Sequence, residues 1–200
     1  MLQLFLKGGP IMGPILLTSI VALTVVIERI MFLFSEWKNS DPKVVGAMLA
    51  AAEQQQFDQT AKLGAASNDG IARVLAYGLA HRETSMSEAL LQAANRELDR
   101  FNRGLSILDT IITLAPLLGL LGTVTGMIHA FGLLGKSELS APTAITGGIA
   151  EALIATAFGL SVAIMALIPF NYLNSRCEKA RLQIQDAASF LELCMMKNKK

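Results

Sequence analysis

One carboxylate stands apart from the rest of the charge in this chain. Glu151 follows Gly147-Gly148-Ile149-Ala150 and precedes a run from Ala152 to Ser175 without a charged side chain. A carboxylate at the centre of a membrane span costs on the order of 2.5–3.5 kcal/mol on insertion scales, and less toward the interface. Loss of water also favours the protonated acid. A group that takes up and releases a proton is what a relay through a membrane needs, so Glu151 is the first candidate for chemistry. The bland alternative stays open: the two nearby glycines would let an interfacial carboxyl reach water or cap a neighbour. Thr123, Thr125 and Thr156 are weaker candidates, because threonine hydroxyls in membrane helices often bond back to their own backbone. His129 could shuttle protons, but a lone histidine near a membrane boundary reads first as structural. His81 falls in a soluble loop. Glu28-Arg29 reads as an interfacial anchor, since adjacent residues do not share a helix face. Cys177 and Cys194 read as ordinary helix residues. There is no phosphate-binding glycine loop, no metal-ligand cluster and no nucleophile with a histidine partner, so neither an enzyme, a metal site nor a cofactor is expected.

The elements that must position these residues are apolar. Of the 200 residues 52% are hydrophobic and only 16% charged, with a mean hydropathy of +0.48, whereas soluble domains carry about a quarter charged residues. No charge occurs from Gly8 to Ile27, from Thr110 to Gly135, or from Ala152 to Ser175. Each run reaches the roughly 20 residues that a helix needs to cross a bilayer core. None alternates as a barrel strand would, and only helices and closed barrels satisfy the backbone in lipid. The first run lacks a strong basic flank and a clear cleavage site, and it continues through Glu28-Arg29 to Phe32, Phe34 and Trp37, so it reads as a retained helix.

Basic residues orient the three spans. Lys38, Lys43, Lys62, Arg73, Arg82, Arg96, Arg100 and Arg103 lie between the first two. Arg176, Lys179, Arg181, Lys197, Lys199 and Lys200 follow the third. The other side carries Lys7 and Lys136. The predicted order is a periplasmic N-terminus and first span over 1–34, a cytoplasmic helical loop over 35–104, and a second span over 105–134. A periplasmic loop over 135–146, a third span over 147–173 and a cytoplasmic helical tail over 174–200 complete it. The fold class is an all-α membrane protein with three transmembrane helices, the second and third extended as long helices into the cytoplasm. Within the loop, Val44 to Leu63 is helix-permissive, Asn68-Asp69-Gly70 signals a turn, and Ile71 to Ala80 predicts a helix. Ser85-Met86-Ser87-Glu88 fits a capping box. No proline intervenes before Pro116, so one helix is expected from Met86 to Leu134, roughly 70 Å at 1.5 Å per residue. Asp99 and Arg103 stand in the favourable i,i+4 order. No soluble domain with a sizeable core of its own is expected. A net charge of +1 gives no electrostatic reason to expect nucleic acid.

Both later spans carry small residues at spacings of three and four. Ala115, Gly119, Gly122, Gly126 and Ala130 form one stripe, and Ala152, Ala155, Gly159, Ala163 and Ala166 another. Such stripes let helices approach closely where lipid supplies no hydrophobic drive. Two of them in a short chain suggest an oligomer: three helices enclose little, but several copies can enclose a pore.

Two stretches carry a family resemblance. One is Ala115-Pro116-Leu117-Leu118-Gly119-Leu120-Leu121-Gly122-Thr123-Val124, leading into Gly126-Met127-Ile128-His129-Ala130-Phe131. The other is Gly147-Gly148-Ile149-Ala150-Glu151-Ala152-Leu153-Ile154-Ala155-Thr156-Ala157, leading into Gly159-Leu160, Ala163-Ile164 and Asn171. They closely resemble the signature regions of the MotA/TolQ/ExbB proton channel family. Leu4-Phe5-Leu6-Lys7 and Glu28-Arg29 are loosely similar. Three spans and a moderate loop resemble the ExbB/TolQ branch. The resemblance implies a multi-pass protein of the bacterial inner membrane, pentameric, surrounding a dimeric single-span partner similar to ExbD or TolR whose aspartate exchanges protons. It implies that Glu151, Thr123 and Thr156 face the pore, and that the protein converts an ion gradient into work in the envelope. Thr125 stands where the family often has tryptophan, which leaves proton versus sodium open. The driven process is open too. A passive oligomeric scaffold and a stand-alone ion channel are the alternative functions.

Overall fold

The computed structural model describes residues 7–134 and 141–198. Leu4-Phe5-Leu6 and Lys136 therefore lie outside the described residues, as do the first six positions of the predicted loop over 135–146. Among the described residues there are seven helices and no strand: α1 Met12–Asn39, α2 Pro42–Glu53, α3 Phe57–Ala65, α4 Gly70–Ala80, α5 Met86–Asn102, α6 Leu105–Leu134 and α7 Ala141–Asn198. Three helical stretches are long and apolar enough to cross a membrane, within Met12–Asn39, Met86–Gly132 and Ile145–Lys197. The all-α fold with three spanning helices and long second and third helices is thus the observed one.

The second long helix carries an interruption that the sequence reading passed over. Arg103 leaves the helix at φ −55°, ψ 130°, and Gly104 adopts φ +78°. A left-handed residue ends an α-helix, and glycine takes that conformation without steric cost. A Cβ on Gly104 would also meet Val25 Cγ1 at 3.0 Å. The third long helix continues without a break through Pro169 into the tail.

The chain divides into two compact units. One comprises the residues up to Arg29 together with Gly104–Tyr172. In it α6 and α7 meet along their small residues. A Cβ on Gly119 would stand 3.0 Å from Thr156 Cα, one on Gly126 2.9 Å from the Gly148 carbonyl, and one on Gly159 2.5 Å from the Ala115 carbonyl. A Cβ on Gly122 would overlap that of Ala155. The two stripes therefore face each other within one chain, so they are not by themselves an argument for an oligomer. The outward faces are apolar and exposed, with Leu17, Leu23, Leu117, Ile128, Phe131, Leu153, Met165 and Ile168 among them.

The other unit comprises Ile30–Arg103 and the residues from Leu173 onward. It has a core, contrary to expectation. Met48, Ala52, Phe57, Ala72, Val74, Leu75, Leu79, Leu90, Ala93 and Ala94 pack with Ile184, Ala187 and Leu191 from the end of α7. The expected helix-permissive stretch splits into α2 and α3 around Gln55, which takes φ +61°. Two aspartates start helices. Asp41 accepts from the Lys43 and Val44 amides, and Asp69 from Ile71 and Ala72 through Oδ1 and from the Asp41 amide through Oδ2 at 2.9 Å. Ser85 makes no side-chain cap, and the expected capping box does not form. Its N–H is already satisfied by the His81 carbonyl at 3.2 Å, and Ser87 instead donates to the Glu192 carboxylate. Arg73 makes a two-pronged contact with Glu97, at 3.2 and 3.0 Å, and Arg100 reaches Glu97 at 2.8 Å and Glu36 at 3.7 Å. This network ties α4 and α5 to the end of α1.

Candidate functional site

Glu151 immediately precedes Ala152, the first residue of the α7 stripe, on an apolar helix, with its side chain 19% exposed. Two other elements reach it. From α6, His129 Nδ1 stands 3.8 Å from Glu151 Oε2. That is longer than a hydrogen bond and within ion-pair range. From the segment preceding α1, Gly9 lies directly over the other oxygen: a Cβ there would overlap Oε1 and stand 2.6 Å from Cδ. Gly9 has φ +72°, and its carbonyl accepts from the Met12 amide at 3.2 Å, which joins this turn to the start of α1. Gly8 is packed the same way, with a would-be Cβ 3.1 Å from Ile154 Cγ2 on α7. Met12 and Ile15, the first inward residues of α1, are almost fully buried.

The threonines sit at other levels of the same helix pair. Thr156 Oγ1 is 3.0 Å from the Gly119 carbonyl on α6 and 3.2 Å from the Ala152 carbonyl on its own helix. The missing side chain of Gly119 is what lets a hydroxyl from α7 reach that carbonyl. Thr123 donates to the Leu120 carbonyl at 2.6 Å, and Thr125 lies 3.1 Å from the carbonyls of Leu121 and Gly122. These last two hydroxyls are turned back on their own helix. Five residues separate Glu151 from Thr156, or about 140° around a helix, so the two do not share a face. The structure brings Glu151 together with His129 and Gly9, and Thr156 together with Gly119.

Glu28 and Arg29 pair with each other although they are neighbours in sequence. Arg29 is 3% exposed and turns back along α1 to Glu28, its Nε donating to Oε2 at 2.7 Å and its Nη2 to Oε1. Adjacent residues do not share a helix face, but a long guanidinium stem can fold across that gap. Its Cδ and Cγ lie 3.7 and 3.8 Å from where a Gly104 Cβ would be. The Arg29 stem is thus buried against Gly104, whereas the Glu28 carboxylate is 53% exposed.

The model of the MotA/TolQ/ExbB proton channel family matches residues 66–186, more than half the chain and all of α6. The chain belongs to this family. An ExbB-like biopolymer transport protein of Synechocystis is 42% identical over 181 residues, covering 88% of this chain and 71% of the relative. A second ExbB-like protein of the same organism is 32% identical over 193 residues, 94% and 91% of the two chains. The Tol-Pal system protein TolQ of Haemophilus influenzae is 38% identical over 104 residues, 52% of this chain and 44% of its own. The ExbB/TolQ-like branch is therefore the right one, and with three spanning helices the protein is a multi-pass inner-membrane subunit of the proton-channel, motor type.

Gly9 was missed in the sequence, and His129 was set aside there as structural. Both had a signal. Gly8-Gly9-Pro10 places paired glycines directly ahead of a spanning helix. Once Gly126 is set opposite Gly148 and Ala152, residue 129 one turn along α6 must approach residue 151.

Proposed function

We propose that this chain is the pore-forming subunit of a motor that lets ions run down their gradient across the inner membrane and converts that flow into mechanical work in the envelope. The observation that carries the reading is Glu151: a carboxylate on an otherwise uncharged spanning helix, largely sheltered, and approached from two sides by α6 and the N-terminal turn. In this reading several copies, five by family resemblance, surround the spanning helices of a dimeric ExbD/TolR-like partner. An acidic residue on that partner exchanges the ion with the pore. Glu151 supplies the local negative potential, and Thr123 and Thr156 line the path. The exposed apolar faces of α1, α6 and α7 meet lipid and neighbouring copies, since surfaces of that extent on a free subunit would not stay in water. The N-terminus is periplasmic and the C-terminus cytoplasmic. Each charge crossing 100 mV releases about 2.3 kcal/mol, so a few ions suffice for a stepwise rearrangement.

Glu151→Gln tests this. Glutamine matches the shape of glutamate but cannot ionise. The variant should assemble and bind its partner normally, while ion flux through the complex in liposomes, measured under proton and sodium gradients separately, falls at least tenfold. Normal flux would remove Glu151 from the ion path. Loss of assembly along with flux would favour a scaffold contact.

A further inference from the structure

The two oxygens of Glu151 are not equivalent in this fold. Oε1 lies against Gly9, at a place where no other side chain fits, because a Cβ would overlap Oε1 and come within 2.6 Å of Cδ and 3.0 Å of Cγ. Oε2 faces His129 Nδ1 at 3.8 Å, and the His129 side chain is 67% exposed where that of Glu151 is only 19% exposed. One oxygen is covered by backbone, and the other looks toward the exposed, titratable side chain of His129. The cover is itself fixed. Gly9 holds a left-handed φ, its carbonyl binds the Met12 amide, and Gly8 is wedged against Met12 and Ile154.

We propose that Gly9 and His129 are positioning residues for Glu151: Gly9 shields Oε1 and fixes the carboxylate rotamer, and His129 faces Oε2, the oxygen left for ion exchange. This rests on the reading of Glu151 as the ion-handling group. On this view the N-terminal turn is a built part of the ion path and not merely a lead-in to α1.

The test uses the full chain with its copurified partner in membranes, with two readouts. One is ion flux. The other is the rate at which residue 151 is labelled by a hydrophobic carbodiimide, a carboxyl reagent, read by peptide mass spectrometry. Gly9→Ala should lower flux at least fivefold and raise labelling of Glu151 at least threefold, because the methyl group evicts the carboxylate. In the Gly9→Ala background, Glu151→Asp shortens the acid by one methylene and should recover flux above that of Gly9→Ala alone. Backbone strain at φ +72° would not be relieved by that second change. His129→Ala, at an exposed position, should raise labelling without loss of folded protein, and His129→Gln should behave more nearly as wild type. The proposal is overturned if a folded Gly9→Ala variant keeps wild-type labelling and flux, or if Glu151→Asp brings no recovery and labelling stays unchanged. Should Gly9→Ala fail to fold, unchanged labelling in His129→Ala overturns it instead. Full flux in Glu151→Gln would sink the motor reading alone, since the labelling rates report the position of the carboxylate whatever its role.

Discussion

Thr156 and Thr123 look alike in sequence and differ in what their hydroxyls hold. The Thr156 hydroxyl reaches across to the Gly119 carbonyl, whereas that of Thr123 returns to Leu120 on its own helix. Interhelical hydrogen bonds of this kind in membranes contribute about 0.6 kcal/mol on average and up to roughly 1.7 kcal/mol. Thr156→Val should therefore lower unfolding stability in mixed micelles by about that amount, and Thr156→Ser should restore it. Thr123→Val should leave stability unchanged, because no contact between helices is lost. Equal losses for both would mean that the Gly119 contact carries nothing. The difference governs how flux is interpreted. A defect in Thr123→Val speaks directly for a role in the ion path, whereas one in Thr156→Val must first be separated from loosening of the α6–α7 pair.

The small-residue stripes were legible in the sequence because spacings of three and four mark one helix face, but a stripe does not name its partner. The structure pairs Gly119, Gly122, Gly126 and Gly159 with residues of the same chain, so their loss should strike the subunit before the assembly. Gly159→Leu would drive a side chain at the Ala115 carbonyl, only 2.5 Å from the Cβ position, and should lower the melting temperature of the subunit and expose it to protease. Gly13 and Gly147 have nothing within 4 Å. Alanine at either should leave the subunit stable or make it slightly more so, as alanine favours a helix over glycine by about 1 kcal/mol. If Gly13→Ala or Gly147→Ala yields a stable subunit that no longer assembles, that face lies between copies. Other features were hidden for physical reasons. The break at Gly104 depends on a backbone angle, φ +78°, that the residue type permits but does not dictate. The core of the second unit was invisible because its halves, Met48 to Ala94 and Ile184 to Leu191, are separated by two spans. The Ser85 box failed because a turn through His81 had already satisfied the amide that it would have served.

At the scale of the whole molecule, the direction of the chain through the membrane decides what Glu151 does first. With the basic segments around Arg96 to Arg103 and Arg176 to Arg181 in the cytoplasm, Glu151 stands near the outer end of its span. It would then meet an ion on entry, with most of the membrane potential still to be crossed. Reversed, the same residue would stand at the exit and could only assist release. Orientation is therefore part of the mechanism. It can be read with single cysteines in a chain whose own Cys177 and Cys194 are replaced by alanine. A cysteine at Ser137, in the predicted outer loop, should react with a membrane-impermeant maleimide in intact spheroplasts. One at Lys62, an exposed position on α3, should react only after the membrane is opened. The opposite pattern would overturn the charge-based topology and, with it, the order of events at Glu151. Reaction of both in intact cells could not come from a three-span chain with a single orientation, because two spans or none must separate positions on one side. That result would mean that the chain inserts both ways and that the basic residues of the Arg96–Arg103 segment and the tail do not fix its orientation.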